Sequence, residues 1–196
     1  MSLKILLAAL VVSAAIPACA QVTPEATAGG MPLTVGAGFS NYYTDWNGYL
    51  SGPTLWADWN LYQLPSHLRG LGIEVEGRDL NYVRTGGVPN LRMDTIGGGP
   101  IYNIRPLFHR KVQPYAKYLA EFGSIDFTVQ GFPNYHHDTR TAQAPGGGVT
   151  VRAFQNVLVR ADYEYQFWPD LGHGNDLNPR GFTVGVAYDF RAHFDR

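Results

Sequence analysis

Cysteine is almost missing from this chain. Cys19 is the only one in 196 residues, so no disulfide framework can staple the fold. Long apolar runs are equally scarce. Ile5 to Ile16, broken only by Ser13, is the one such stretch, and it is too short for a transmembrane helix. Nothing comparable follows, so the remaining chain does not cross a membrane as helices. An excess of one charge is also lacking: 15 Lys and Arg against 16 Asp and Glu leave a formal charge of −1. That balance offers neither a basic field for nucleic acid nor an acidic tail. The triple glycines at Gly97-Gly98-Gly99 and Gly146-Gly147-Gly148 are not followed by the Lys-Ser/Thr and helix of a phosphate loop. They are expected instead to let a sheet curve or to make room for aromatic rings.

What is present begins with a leader. Met1-Ser2-Leu3-Lys4 is a short basic start, and Ala18-Cys19-Ala20 follows the apolar run as a small-x-small cleavage site. This predicts a signal peptide over residues 1–20. An alternative keeps an acylated Cys19 in the motif Ile16-Pro17-Ala18-Cys19, which Pro17 fits poorly. Removing the leader takes only Lys4 among charged side chains and moves the formal charge to −2. The rest is enough for one domain. Residues 21–31 read as a linker, 32–190 as the folded unit and 191–196 as a tail.

Within that unit the pattern has period two. Leu33, Val35, Ala37 and Phe39 alternate with Thr34, Gly36, Gly38 and Ser40. Leu55, Ala57, Trp59 and Leu61 alternate with Trp56, Asp58 and Asn60. The sharpest cases are Leu71, Ile73 and Val75 against Glu74, Glu76 and Arg78, and Val157 to Phe167 against Arg160, Asp162, Glu164 and Gln166. Val112 to Ala120 alternates with Gln113, Tyr115, Lys117 and Glu121, and Gly147 to Ala153 with Gly148, Thr150 and Arg152. Around the first triple glycine, Ile96, Pro100, Tyr102 and Ile104 are expected to point outward. Gly123 to Pro145, rich in Asn, His, Asp, Thr and Gln, reads as the longest loop, and Pro169 to Arg180 as the last. The closing strand sets Phe182, Val184, Val186, Tyr188 and Phe190 against Thr183, Gly185, Ala187 and Asp189. About eight strands of ~10 residues result, the length that crosses a bilayer at a tilt. Short and long connections alternate along them.

Gly185-Val186-Ala187-Tyr188-Asp189-Phe190 resembles the closing-strand signal of bacterial outer-membrane barrels. With Arg160-Ala161-Asp162-Tyr163-Glu164-Tyr165 and Gln113-Pro114-Tyr115, it makes the chain similar to the small OmpA-like, OmpX-like and opacity-type barrels. The resemblance implies an all-β fold, an eight-stranded antiparallel up-and-down transmembrane β-barrel in the outer membrane of a Gram-negative-type bacterium. It also implies that the insertion machinery reads Gly185, Tyr188 and Phe190. Membrane lipid is the implied surrounding, and a surface ligand would be held by the external loops.

With apolar faces toward lipid, Asp58, Glu74, Glu76, Arg78, Lys117, Glu121, Arg152, Arg160, Asp162 and Glu164 are expected to line the lumen as a charge network. Eight strands leave an interior that side chains can fill, and buried charges there must pair. A structural plug is the first expectation and a narrow polar pore the second. Trp46, Tyr49, Trp56, Trp59, Tyr62, Tyr163, Tyr165, Phe167, Trp168, Tyr188 and Phe190 are expected as interfacial girdles where they face outward. His136-His137-Asp138 offers metal-ligand types, although adjacent loop histidines are usually solvated. No catalytic residue, cofactor or metal is assigned. A lipid-modifying enzyme would need a Ser beside a His on the lipid face, and Ser40-Asn41 lacks the preceding His, with His67 and His109 in turns at the other end.

Overall fold

The computed structural model describes residues 32–45, 48–61, 64–65, 68–84, 91–108, 111–128, 135–171 and 175–190. The expected leader, linker and tail lie outside the described residues, as do Trp46, Tyr62, His67 and His109. In chain order the strands are β1 (Leu33–Thr44), β2 (Gly48–Asn60), β3 (Leu71–Leu80), β4 (Tyr82–Arg84), β5 (Arg92–Asn103), β6 (Val112–Thr128), β7 (Tyr135–Arg152), β8 (Val157–Tyr165), β9 (Trp168–Leu171), β10 (Asn175–Leu177) and β11 (Arg180–Asp189).

Eight of them form an up-and-down antiparallel cylinder, β1-β2-β3-β5-β6-β7-β8-β11, closed by β1 against β11 from Thr34↔Asp189 to Tyr43↔Arg180. Closure leaves these strands no free edge, which is what a bilayer interior demands of backbone hydrogen bonds. The other three strands are short additions at the long-hairpin end. β4 pairs with Tyr49 to Ser51 of β2, and β9 with β10.

The alternation places the walls as expected. Val35, Phe39, Leu55, Ile73, Val75, Val159, Tyr163, Phe182, Val184 and Val186 stand exposed on the outside. Ile96, Tyr102 and Ile104 do too, because β5 runs through Gly97-Gly98-Gly99-Pro100 without losing its pleat or its register with β3. The glycines there are seats for neighbouring strands more than for rings. A Cβ at Gly99 would meet the Tyr118 carbonyl, and one at Gly148 the Ala161 carbonyl and the Asp162 side chain.

The stretch 123–145 is not a loop. β6 and β7 stay paired from Val112↔Val151 to Thr128↔Tyr135, so only 129–134 connect them. Their 17 and 18 residues exceed the ~10 needed to cross a bilayer, and the surplus rises beyond it. The polar composition that suggested a loop belongs to a hairpin whose outer face meets water. The first connection is likewise reduced to 45–47 by the pairing Thr44↔Gly48.

Candidate functional site: the filled lumen

The interior is built in two layers. In the half nearer the short turns, Glu74, Glu76 and Arg78 from β3, Lys117 and Glu121 from β6, and Arg160, Asp162 and Glu164 from β8 are all buried. Strict alternation on three strands aims them at one another. Lys117 Nζ lies 3.0 Å from Glu74, 2.6 Å from Glu76 and 3.1 Å from Glu164. Arg78 contacts Glu76, Glu121 at 3.2 Å and Glu164 at 2.8 Å. Arg160 reaches Glu74 and Asp162, each at 2.9 Å, and Asp58 at 3.6 Å.

Aromatic rings stack on the two arginines. Arg160 lies between Trp56 and Tyr115, 4.9 and 4.7 Å from their centroids, and Arg78 lies 4.9 Å from that of Tyr42. Such stacking is strong where water is excluded. This buried layer holds two more carboxyl groups than cations, and neutral donors meet part of that excess. Tyr115 Oη donates to Asp162 at 2.7 Å, Tyr42 Oη to Glu164 at 3.0 Å, and Gln166 Nε2 to Glu121 at 2.8 Å. Glu76, Glu121 and Glu164 bring carboxylate oxygens within 4.8 Å of one another, as a metal site would. The Arg78 guanidinium already contacts all three and takes the place an ion would need.

Arg152 does not join this network. It sits at the short-turn rim, 40% exposed at the side chain, and pairs with buried Asp189 at 3.1 Å. Its strand ends there, so inward direction no longer means lumen. Asp58 is at the same end, 14% exposed at the side chain and at the network's edge.

Trp56 and Trp168, assigned to the girdles only where they face outward, are inside. Trp56 lies in a cradle of Gly36, Gly38 and Gly185, where added Cβ atoms would collide with its ring. The space those glycines leave is therefore filled. Trp168 sits against Gly123 and donates from Nε1 to Gln166 at 2.9 Å. Tyr49, Trp59, Tyr163, Phe167, Tyr188 and Phe190 do face outward. In the closing strand Tyr188 and Phe190 meet edge to face outside, whereas Gly185 lies within under Trp56.

Ser40 also points inward, hydrogen-bonded to Thr54 and, at 2.7 Å, to Thr183, so it is not a lipid-face nucleophile. His136 side-chain placement lies outside the described residues. His137 pairs with Asp126 across the hairpin at 2.5 Å, while Asp138 is ion-paired to Arg140 at 3.4 Å. Adjacent positions on a strand face opposite ways, so His137 and Asp138 do not converge on one ion.

Above the charges, toward the long hairpins, lies the second layer. Tyr42, Leu50, Leu80, Leu91, Met93, Ile125, Ala142, Trp168 and Leu177 form one buried apolar cluster across the mouth. At the opposite mouth a cavity of about 20 Å³, enough for a water molecule, is lined by Trp56, Asp58, Asn60, Asn103 and Arg160 among others. The sequence pattern showed the charges. The apolar cap draws on residues from eight strands and a connection, and only their pairing brings them together.

The model of the outer membrane protein beta-barrel domain matches residues 5–190. No curated protein sequence matches significantly. Among solved structures, neisserial surface protein A is similar at 16% identity and a TM-score of 0.67, covering 83% of this chain and 99% of its own. OprG of Pseudomonas aeruginosa is similar at 13% identity and 0.59, covering 82% and 97%. Ail, the attachment invasion locus protein of Yersinia pestis, is similar at 17% and 0.51, covering 82% and 97%. At these identities the likeness is one of fold.

Proposed function

The chain belongs to the outer membrane protein beta-barrel domain family, and from that premise we propose that it is a closed, non-enzymatic barrel that displays its long hairpins outside the cell. It resides in the outer membrane, with the short turns on the periplasmic side as in other such barrels. The observation that carries the reading is the doubly sealed lumen: an ion-paired layer spanned by Arg78, Lys117 and Arg160 beneath an apolar cap. Tyr188 and Phe190, outward on the last strand, are the features we assign to the insertion machinery.

The external side chains narrow the ligand. Among the described side chains, Asp45, Asp79, Asp94, Asp126, Asp138 and Asp176 outnumber Arg92, Arg140 and Arg180 there. Ail has been solved with a heparin analogue, sucrose octasulfate. A polyanion of that kind meets unfavourable charge here, so a neutral or cationic surface partner is favoured. Planar-bilayer recording of the refolded protein, beside a glycan and matrix-protein binding screen, tests both halves. Silence in the bilayer with binding to a neutral or basic partner is expected. Steady single-channel current would overturn the closed barrel, and preferential binding to sulfated glycans would overturn the charge argument.

A further inference from the structure

The short-turn rim carries a chemistry that neither sealing the lumen nor displaying hairpins requires. Three turns there are contiguous. The turn at Leu68–Gly70 is tied to β5 by Asn103 N–H donating to the Gly70 carbonyl at 2.7 Å. The turn 104–111 is tied to β7 by Arg152 N–H donating to the Lys111 carbonyl at 2.8 Å, beside the turn 153–156. Each exposes large apolar side chains: Leu68 at 39%, Leu107 at 51%, Phe108 at 74% and Phe154 at 73%. Arg69, Arg105 and Lys111 stand exposed between them, without an ion-pair partner among the described residues. The described part of these turns carries no carboxylate, and Asp189 at the same rim is buried and paired with Arg152.

Phe108 is the most exposed of the set and has the backbone least suited to it. Its φ is +48°, a region that bulky side chains rarely occupy. The turn is pinned by mutual Leu107–Val112 backbone hydrogen bonds at 2.7 and 3.3 Å, and Lys111 N–H donates to the Phe108 carbonyl at 3.3 Å. A glycine or asparagine would fit that position with less strain. The aromatic ring is therefore held outward at a conformational cost and gains nothing from the barrel's own packing.

We propose that this rim is a docking surface for the anionic phospholipid headgroups of the inner leaflet. Phe108, Phe154, Leu107 and Leu68 enter the interfacial zone while Arg69, Arg105 and Lys111 bind the phosphates. The apolar side chains continue the lipid-facing wall directly, since Tyr102 and Ile104 are exposed just above Leu107, and Val151 just above Phe154. An arc of apolar tips with interleaved cations matches a charged lipid surface, where aromatic anchors and basic residues act together. An acidic polymer or protein would need the cations but would leave the four apolar tips in water.

The test uses the full chain in nanodiscs. In a Cys19→Ala background, Phe108→Cys is labelled with an environment-sensitive fluorophore, Cys19 being the only native cysteine. Nitroxides on lipid headgroups should quench it, and aqueous iodide should not. In mixed discs, anionic lipid should be enriched around the barrel over zwitterionic lipid by roughly fivefold per participating cation at low salt. Arg69→Glu, Arg105→Glu and Lys111→Glu combined should abolish the enrichment with the unfolding midpoint in zwitterionic lipid unchanged. A label reached by iodide and not by headgroup nitroxide would overturn the proposal. So would enrichment that survives the triple reversal, or equal affinity for both lipids. None of these outcomes bears on conductance or on external ligands.

Discussion

The two storeys of this barrel obey opposite rules. Through the bilayer, apolar side chains point out and charges in: Val75, Val159 and Val184 outside, Glu74, Arg160 and Lys117 within. Past the row of Ile96 and Phe122 the same strands invert. Leu80, Met93, Ile125 and Ala142 turn inward, while Asp79, Asp94, Asp126 and His137 turn outward. No register shift occurs at the change on β3, β5 or β6; only the surroundings differ. The lower storey is an inside-out protein in lipid, and the upper one an ordinary water-facing sheet closed over an apolar core. Strand parity is set by backbone geometry, and side-chain choice follows whichever solvent lies outside.

The largest effect expected from breaking that contrast is at the lower core. Arg160→Ala removes the cation shared by Glu74 and Asp162 and leaves buried carboxylates unpartnered. The loss should be on the order of 3–5 kcal/mol. Arg160→Ala with Glu74→Gln should recover part of it. Reversible unfolding from lipid vesicles gives both values, and a cost under 1 kcal/mol for Arg160→Ala would show that water already screens this layer.

A second pair addresses the wall. Val159→Arg on β8 should cost about 2–4 kcal/mol if it faces the bilayer midplane. Thr139→Arg, on the outer face of β7 above the inversion, should stay within about 0.5 kcal/mol, as at other water-facing surfaces. Equal costs in the same unfolding assay would move the boundary between the storeys.

The sequence made the lower storey legible and concealed the upper one, for a single reason. Leu71 to Arg78 and Val157 to Gln166 carry the apolar/charged alternation that only a wall between lipid and lumen requires over so many strands. Phasing even passed the triple glycine, because the pleat does not stop for missing side chains. In 123–145 the outward face is polar and the inward face is partly small, as at Ala142 and Ala144, so the pattern fades into that of a loop. The seat of Trp56 was hidden for another reason. Trp56 followed lumen parity on β2, but an aromatic ring there needs space that Gly36, Gly38 and Gly185 supply from two other strands. That complementarity is visible only once β1 is paired with β2 and β11.

Those glycine seats give a smaller, matched test. Gly36→Ala would press on Trp56 in the lower storey, and Gly123→Ala on Trp168 in the upper. Each should cost about 1–3 kcal/mol from overpacking. Trp56→Phe should relieve Gly36→Ala without affecting Gly123→Ala, and Trp168→Phe the reverse, as measured in double-mutant cycles. Rescue across the pairs would mean that the two layers yield as one.

The smallest effect is a rate and concerns the two indole N–H groups. Trp168 Nε1 is satisfied by Gln166 and belongs to the apolar cap. Trp56 Nε1 has no hydrogen-bond partner among the described residues, and Trp56 lines the small polar cavity at the short-turn mouth, beside Asp58 and Arg160. A buried donor left unmatched is costly, and a site of this size and polarity suits a bridging water. Asp58 and Arg160 contribute two further unmatched atoms to it, Oδ1 and Nη1. In deuterated buffer, the Trp56 indole proton should therefore exchange well before that of Trp168, both followed by nitrogen-resolved NMR in nanodiscs. Asp58→Leu, which removes a polar partner of such a water and narrows the entrance, should slow Trp56 and leave Trp168 unchanged. Faster exchange at Trp168 would place the leak in the cap, making the external storey the open one and reversing the contrast between the two ends.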